Sequence, residues 1–210
     1  MTWLRQTEHV LLASASPRRR ALLEQIKVPC QQLIVPSPPG EDEPRLDGES
    51  VKSYVCRTAR EKLERALVHI AATESDTIEP TATHHAVLAA DTTVALGEHI
   101  LAKPIDSQDA HRMLSELSGQ THLVYTAVCL WWQSTRHEAL AVSSVRFAPL
   151  TPEQIQAYID TREPFGKAGA YAIQGVAAKF VQHLEGSFSG VMGLPIYETT
   201  QLLCKAGLMK

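Results

Sequence analysis

The chain has 210 residues, and against a prior of about 100 to 200 residues per domain it reads as a single unit spanning 1–210, either one large domain or one domain split into two lobes. Hydrophobic residues make up 44% and charged residues 20%, which excludes a disordered scaffold. Twenty Lys+Arg against 23 Asp+Glu give a formal charge of −3, so there is no global field for a polyanion and no dedicated nucleic-acid binding is expected, although a local basic site stays open. The longest apolar run, Leu123 to Trp132, has about ten residues where a membrane-spanning helix needs about twenty, and no transmembrane helix fits.

In chain order, the first apolar run, His9 to Ser14, reads as a buried strand because it is brief and meets a helix start at Ser16-Pro17. Glu8 and His9 leave an apolar stretch of only about six residues, too short for a secretory core, although Ala13-Ser14-Ala15 mimics a cleavage site. Leu22, Leu23 and Ile26 give the first helix its apolar stripe, Gln31 to Val35 is a second strand, and Pro36 to Gly48 is a loop rich in Pro, Gly and acids. Ser50 can cap a long helix carrying Val51, Val55, Leu63, Leu67 and Ile70 at helical spacing. Thr73 to His85 is a polar connection.

Val87 to Ala90 is a continuous apolar run ending at Asp91, and Thr92 to Ala102 pattern as a hairpin around Gly97-Glu98-His99. A helix from about Asp109 to Leu117 stops at Ser118-Gly119, and two β-rich runs follow, Thr121 to Trp132 and His137 to Phe147. The first of these runs serves a core strand better than an oligomer interface, so a homodimer stays open without support from it. Thr151-Pro152 starts a helix to about Asp160, a glycine-rich segment (Gly166 to Gly175) leads to a strand at Ala178 to His183, and a last helix runs from about Pro195 to Gly207. The sum is a mixed α/β unit with a sheet long enough to leave a cleft. Cys30, Cys56, Cys129 and Cys204 are widely spaced with no C-x-x-C pair, which suits reduced thiols in a cytoplasmic protein.

Chemistry concentrates at two places. In Ser14-Ala15-Ser16-Pro17-Arg18-Arg19-Arg20 three cations occupy the first turn of a helix, where the dipole disfavours them unless an anion binds; amides, Ser14, Ser16 and the arginine forks would make a phosphate site, the alternative being arginines that splay into water. Asp91 interrupts an apolar β run and must be paired, desolvated or metal-bound, or else accept backbone hydrogen bonds in a structural role. Glu41, Asp42 and Glu43 could hold a divalent ion if their loop folds onto the cleft, and otherwise form an acidic surface loop. Lys62, Lys103 and Lys167 are candidate phosphate partners. Walker, dinucleotide-binding, serine-hydrolase and zincin motifs are missing, and the histidines show no zinc-ligand spacing.

Ordered blocks across nearly the whole chain resemble the Maf family of nucleoside triphosphate pyrophosphatases: Leu12 to Arg19, Ala90-Asp91-Thr92-Thr93-Val94, Lys103-Pro104 with Leu117 to His122, Lys167 to Gly175, and a weaker block at Glu185-Gly186-Ser187 and Val191 to Pro195. The resemblance implies a single mixed elongated sheet flanked by helices, with two lobes around a central cleft as in inosine triphosphatase-like folds. It implies cleavage of a nucleoside triphosphate between the α and β phosphates with a divalent cation, Mg²⁺ or Mn²⁺. Asp91 would be the proton acceptor and, with Glu43, a metal ligand; Arg18, Thr92 and Gln174 would set base preference; Ser14, Ser16, Arg19, Lys62, Lys103 and Lys167 would hold phosphates. The paired arginines, Asp-Thr and Ile-Gln-Gly resemble the subgroup acting on dTTP and UTP, ahead of the subgroup acting on 7-methyl-GTP. A nucleotide-sensing protein that binds without turnover is the alternative from another class. Two positions depart from the family pattern. Gly166 stands where an acid is common, which removes a partner for Lys167, and Ala172 stands where Gly is common, which puts a methyl in a turn expected to need positive φ.

Overall fold

A computed structural model describes residues 9–36, 44–74 and 85–210. In chain order they form β1 (Val10–Leu12), α1 (Pro17–Gln25), β2 (Cys30–Gln32), α2 (Val51–Glu74), β3 (Ala86–Leu96), β4 (His99–Leu101), α3 (Ser107–Leu117), β5 (Thr121–Trp132), β6 (Thr135–Phe147), α4 (Pro152–Asp160), β7 (Val181–Glu185), α5 (Phe188–Met192) and α6 (Ile196–Lys205). The strands make one seven-stranded sheet in the order β2-β1-β3-β5-β6-β7, with β4 pairing to β3 off this path. The pairs among β2, β1 and β3 are parallel and the others antiparallel, so the expected mixed sheet with flanking helices is what forms.

The register of β3 creates the cleft. On one edge β5 pairs with it continuously from Val87 to Ala95. On the other edge β1 covers Ala86 to Leu88 and β4 covers Val94 to Leu96. Neither strand reaches residues 89–93, and Asp91, Thr92 and Thr93 lie in that gap. Successive side chains of a strand point to opposite faces, yet beside an open edge both faces can line one cavity.

The core divides accordingly. One cluster packs Val94, Leu101, Met113, Phe147, Tyr158 and Phe180 in the lobe of β4, α3 and α4. The other lobe sandwiches the first half of β3: Leu12, Leu23, Leu88, Leu130 and Leu203 fill one face under α1 and α6, and Val55, Leu63, Val87, Ala89 and Cys129 fill the other under α2. The apolar run of β5 is therefore consumed by the core. Among the described residues, no helix is long and apolar enough to cross a membrane.

Local chemistry accounts for the boundaries. Ser16 caps α1 with Pro17 in its first turn, the Ser50 hydroxyl accepts the Ser53 amide at the head of α2, and Thr151 with Gln154 forms a capping box on α4. The helix expected from Asp109 starts at Ser107 because Asp106 is its cap. The second strand is shorter than the run from Gln31 to Val35 and begins at Cys30, and β6 starts at Thr135. The strand expected at Ala178 to His183 is displaced: Val176–Phe180 form a 3₁₀ helix, held at its start by Glu163, whose carboxylate accepts the amides of Val176 (2.9 Å) and Ala177 (3.3 Å), and β7 follows. Helix α2 runs to Glu74, past the expected start of the connection at Thr73 to His85, and residues 75–84 of that connection lie outside the described residues.

Candidate active site

The junction from β1 to α1 separates the three arginines. Arg20 pairs with Glu24 at 2.7 Å on the surface and leaves the site. Arg18 donates from Nε to the Met192 carbonyl (3.3 Å), and Arg19 donates from Nε to the Gly193 carbonyl (2.7 Å). Carbonyls at the end of α5 thus offset the unfavourable placement of two cations at the start of α1. Arg19 is fixed further by Nη1 to Ser14 Oγ (3.3 Å) and Nη2 to Thr92 Oγ1 (3.2 Å). Burial lowers both arginine pKa values; for Arg19 the nearby Asp91 opposes that shift and Arg18 adds to it. Ser14 Oγ also accepts the Ser16 amide at 3.2 Å, while the Ser16 hydroxyl caps α1 through the Arg19 amide at 3.5 Å.

Asp91 stands in the middle of β3 and points toward α2. Lys62 Nζ donates to its Oδ1, and Thr58 Oγ1 (2.9 Å) and Thr93 Oγ1 (3.3 Å) approach its Oδ2. Thr58 and Lys62 sit four residues apart on α2 and so share one face of the helix. Burial alone would raise the Asp91 carboxyl, but the charge and hydrogen bond of Lys62, the charge of Arg19 and the Thr58 hydroxyl outweigh it and hold the group below the ordinary carboxylate value.

One cavity of about 1000 Å³, counting its open mouth, brings these residues together. Arg18, Arg19, Lys62, Lys103 and Lys167 line it against one carboxylate, Asp91, among the described residues. Ser16 and Thr92 line it too, and an adjoining chamber shares Arg18, Arg19, Lys62, Lys103 and Lys167 and adds Ser14 and Arg65. Lys167 donates to the Phe165 carbonyl at 3.1 Å; burial and then the Arg18 charge lower its pKa, with Glu163 opposing. The remaining wall holds Thr93 and Tyr54 and an apolar part that includes Val94, Ile100, Leu101 and Met192.

Other expected residues fall elsewhere. Gln174 is exposed in the turn before the 3₁₀ helix and is not among the residues lining the cavity. Glu41, Asp42 and Glu43 lie outside the described residues. Ala172 is not at positive φ, so its methyl carries no backbone strain; the left-handed positions of that turn are Gly166 (φ 72), Gly169 (φ 68) and Ala170 (φ 58). Sequence reasoning missed Thr58, Tyr54 in the cavity wall, and Thr126, whose hydroxyl lies 3.0 Å from that of Thr92. A lone threonine on a helix or strand carries no signal of such a role.

A divalent ion of the Mg²⁺ type is commonly held by one or two carboxylates, with substrate phosphates completing the shell. Asp91 meets the lower limit of that donor set. Among the described residues, no group of three or more His, Cys, Asp or Glu gathers to hold a metal without a phosphate ligand.

An open α/β sheet whose central strand bares a carboxylate to a cavity walled by arginines and lysines defines a protein built to bind a polyanion beside an acid. The family model described as "Maf-like protein" matches residues 9–206, and the chain belongs to that family. It is 50% identical over 197 residues to the dTTP/UTP pyrophosphatase of Bordetella pertussis, covering 94% of this chain and 92% of the relative. It is 48% identical over 205 residues to the protein of that name from Polaromonas sp. (strain JS666), covering 96% and 97%. A third relative of that name, from Xanthomonas axonopodis pv. citri, is 49% identical over 197 residues, covering 93% and 97%.

Proposed function

We propose that this protein is a dTTP/UTP pyrophosphatase that hydrolyses the bond between the α and β phosphates, releasing the nucleoside monophosphate and pyrophosphate. The observation that carries the reading is the shared cavity in which five cations, Arg18, Arg19, Lys62, Lys103 and Lys167, face Asp91. The names of relatives about half identical over nearly the whole chain supply the substrate.

Reaction at a phosphorus flanked by anionic oxygens needs charge neutralisation and an oriented water more than covalent help. In this reading the arginines and lysines neutralise the triphosphate, and the apolar wall of Val94, Ile100, Leu101 and Met192 takes the nucleoside. Asp91 orients the water and accepts its proton. The carboxylate is ionised at neutral pH, as a proton acceptor must be, but the same cations that keep it ionised make it a weak base. A divalent cation, Mg²⁺ or Mn²⁺, held by Asp91 and, by family resemblance, Glu43, would lower the pKa of water and make a weak base sufficient. Thr92, fixed to Arg19, and Arg18 contribute to base preference; Gln174 joins them through the family resemblance alone. The reading treats 1–210 as one domain acting in the cytoplasm, with which the free thiols Cys30, Cys56, Cys129 and Cys204 are in keeping.

The test is pyrophosphate release from dTTP, UTP, CTP and 7-methyl-GTP at matched concentrations, with and without EDTA. Fast release from dTTP and UTP, lost with EDTA, is expected. A preference for the methylated purine would overturn the substrate assignment, and binding without release from any of the four would make the protein a nucleotide sensor.

A further inference from the structure

Thr92 and Thr126 are directly opposed partners in the β3–β5 ladder, and Thr126 is 1% exposed, below the cavity floor. Its Oγ1 lies 2.8 Å from the Gly190 carbonyl and 3.0 Å from Thr92 Oγ1. A carbonyl can only accept and a hydroxyl has one proton. Of the two hydroxyls Thr126 is the donor, so its one proton is shared between the Gly190 carbonyl and Thr92 Oγ1. Thr92 Oγ1 also accepts from Arg19 Nη2 at 3.2 Å, so both neighbours use its lone pairs. Thr92 is thereby tied on one side to Thr126, which also donates to α5 at Gly190, and on the other to Arg19, whose Nε is fixed by the Gly193 carbonyl just past that helix.

We propose that Thr126 is a positioning residue for substrate selection: by donating to Thr92 Oγ1 it holds that hydroxyl, beside Arg19, in the orientation that presents its own proton to the pyrimidine base. Thr126 itself is not among the residues lining the cavity. The inference rests on the dTTP/UTP reading for its choice of ligands, and it is tested by binding, which does not depend on turnover.

The experiment measures equilibrium binding of the non-hydrolysable α,β-methylene analogues of dTTP and CTP to the full chain. In Thr126→Val, of the same shape, Thr92 Oγ1 loses this donor and the affinity ratio between the two analogues is expected to shift at least five-fold. Thr126→Ser keeps the hydroxyl and restores the ratio to within two-fold. In a Thr92→Val background the Thr126→Val change moves the ratio less than two-fold, because the contact between the two hydroxyls is already gone. A purely structural Thr126 would lower the melting temperature and leave the ratio in place, and a ratio within two-fold of wild type in a folded Thr126→Val protein overturns the proposal. Thr126→Ala is read in the same way if the valine variant does not fold. A wild-type protein that binds both analogues but releases no pyrophosphate would refute the enzyme reading and leave this measurement intact.

Discussion

Lys62 and Asp91 form an ion pair across the cavity wall, the ammonium from α2 against the carboxylate from β3, with side chains only 26% and 13% exposed. Removing one partner of such a pair costs more than the pair contributes, because a desolvated charge is left behind. Thr58, Thr93 and the more distant Arg19 still face the carboxylate, so Lys62→Met should lose about 1–3 kcal/mol of unfolding free energy at pH 7. The folded Asp91 pKa lies below its ordinary value, so the stabilisation exists above the unfolded pKa of about 3.9. It is lost as pH falls through the lower folded value. The gap between wild type and Lys62→Met in denaturant titrations should therefore close on acidification below about pH 4. A gap that persists unchanged at pH 3 would mean that the cost lies in packing instead.

Asp91→Asn separates binding from chemistry. The amide keeps the shape and can still accept from Lys62 or Thr58, but it cannot take a proton from water. General-base contributions run to about 10²- to 10⁴-fold, and kcat for dTTP should fall by that much. The lost negative charge faced an anionic substrate, so KM should stay within about three-fold or decrease. Steady-state kinetics decide this, and full kcat in the variant would remove Asp91 from its role as base.

What could be read from the sequence depends on whether a feature is local. Strand β5 matches the run from Thr121 to Trp132 and α4 follows its cap at Thr151, because a β-rich apolar run and a cap followed by proline are written in neighbouring residues. The pairing of Lys62 with Asp91 was not legible, since residues 29 apart meet only through the packing of α2 on β3. The five-residue helix α5 was missed because Gly190 and Gly193 weaken any helical pattern, leaving only Ser187 as a cap and Gly193 at φ 117 as a stop. Its carbonyls nevertheless hold both arginines.

Glycines in the 166–175 turn should respond very differently to alanine. At Gly169 (φ 68) an added Cβ would lie 2.8 Å from Val94 Cγ1 and 3.0 Å from Val94 Cβ, against a branched core side chain beside the cavity. Left-handed strain of about 1–2 kcal/mol and overpacking of about 1–3 kcal/mol act together there. At Gly166 (φ 72) nothing lies within 4 Å, and only the strain remains. Gly169→Ala should therefore be the more destabilising by at least about 1 kcal/mol, measured by chemical denaturation. Equal losses would show that Val94 moves aside freely.

His122 gives the fold a weakness to mild acid. The ring is 1% exposed, its Nε2 lies 2.9 Å from Tyr171 Oη, and it packs edge-on to Phe147 with centroids 5.1 Å apart. Burial pushes its pKa down to about 4, so the folded protein keeps the ring neutral where the unfolded chain, with a value of about 6.5, takes up a proton. The unfolded state binds more protons between those two values, and stability must rise with pH across that window. A shift of this size corresponds to about 3 kcal/mol lost between pH 7 and pH 4. His122→Gln, which does not titrate, should start less stable at pH 7 through lost packing, yet show a flatter profile over the same interval. Unfolding free energies of the two proteins from pH 4 to 7 decide the matter: parallel profiles would assign the acid sensitivity to other groups.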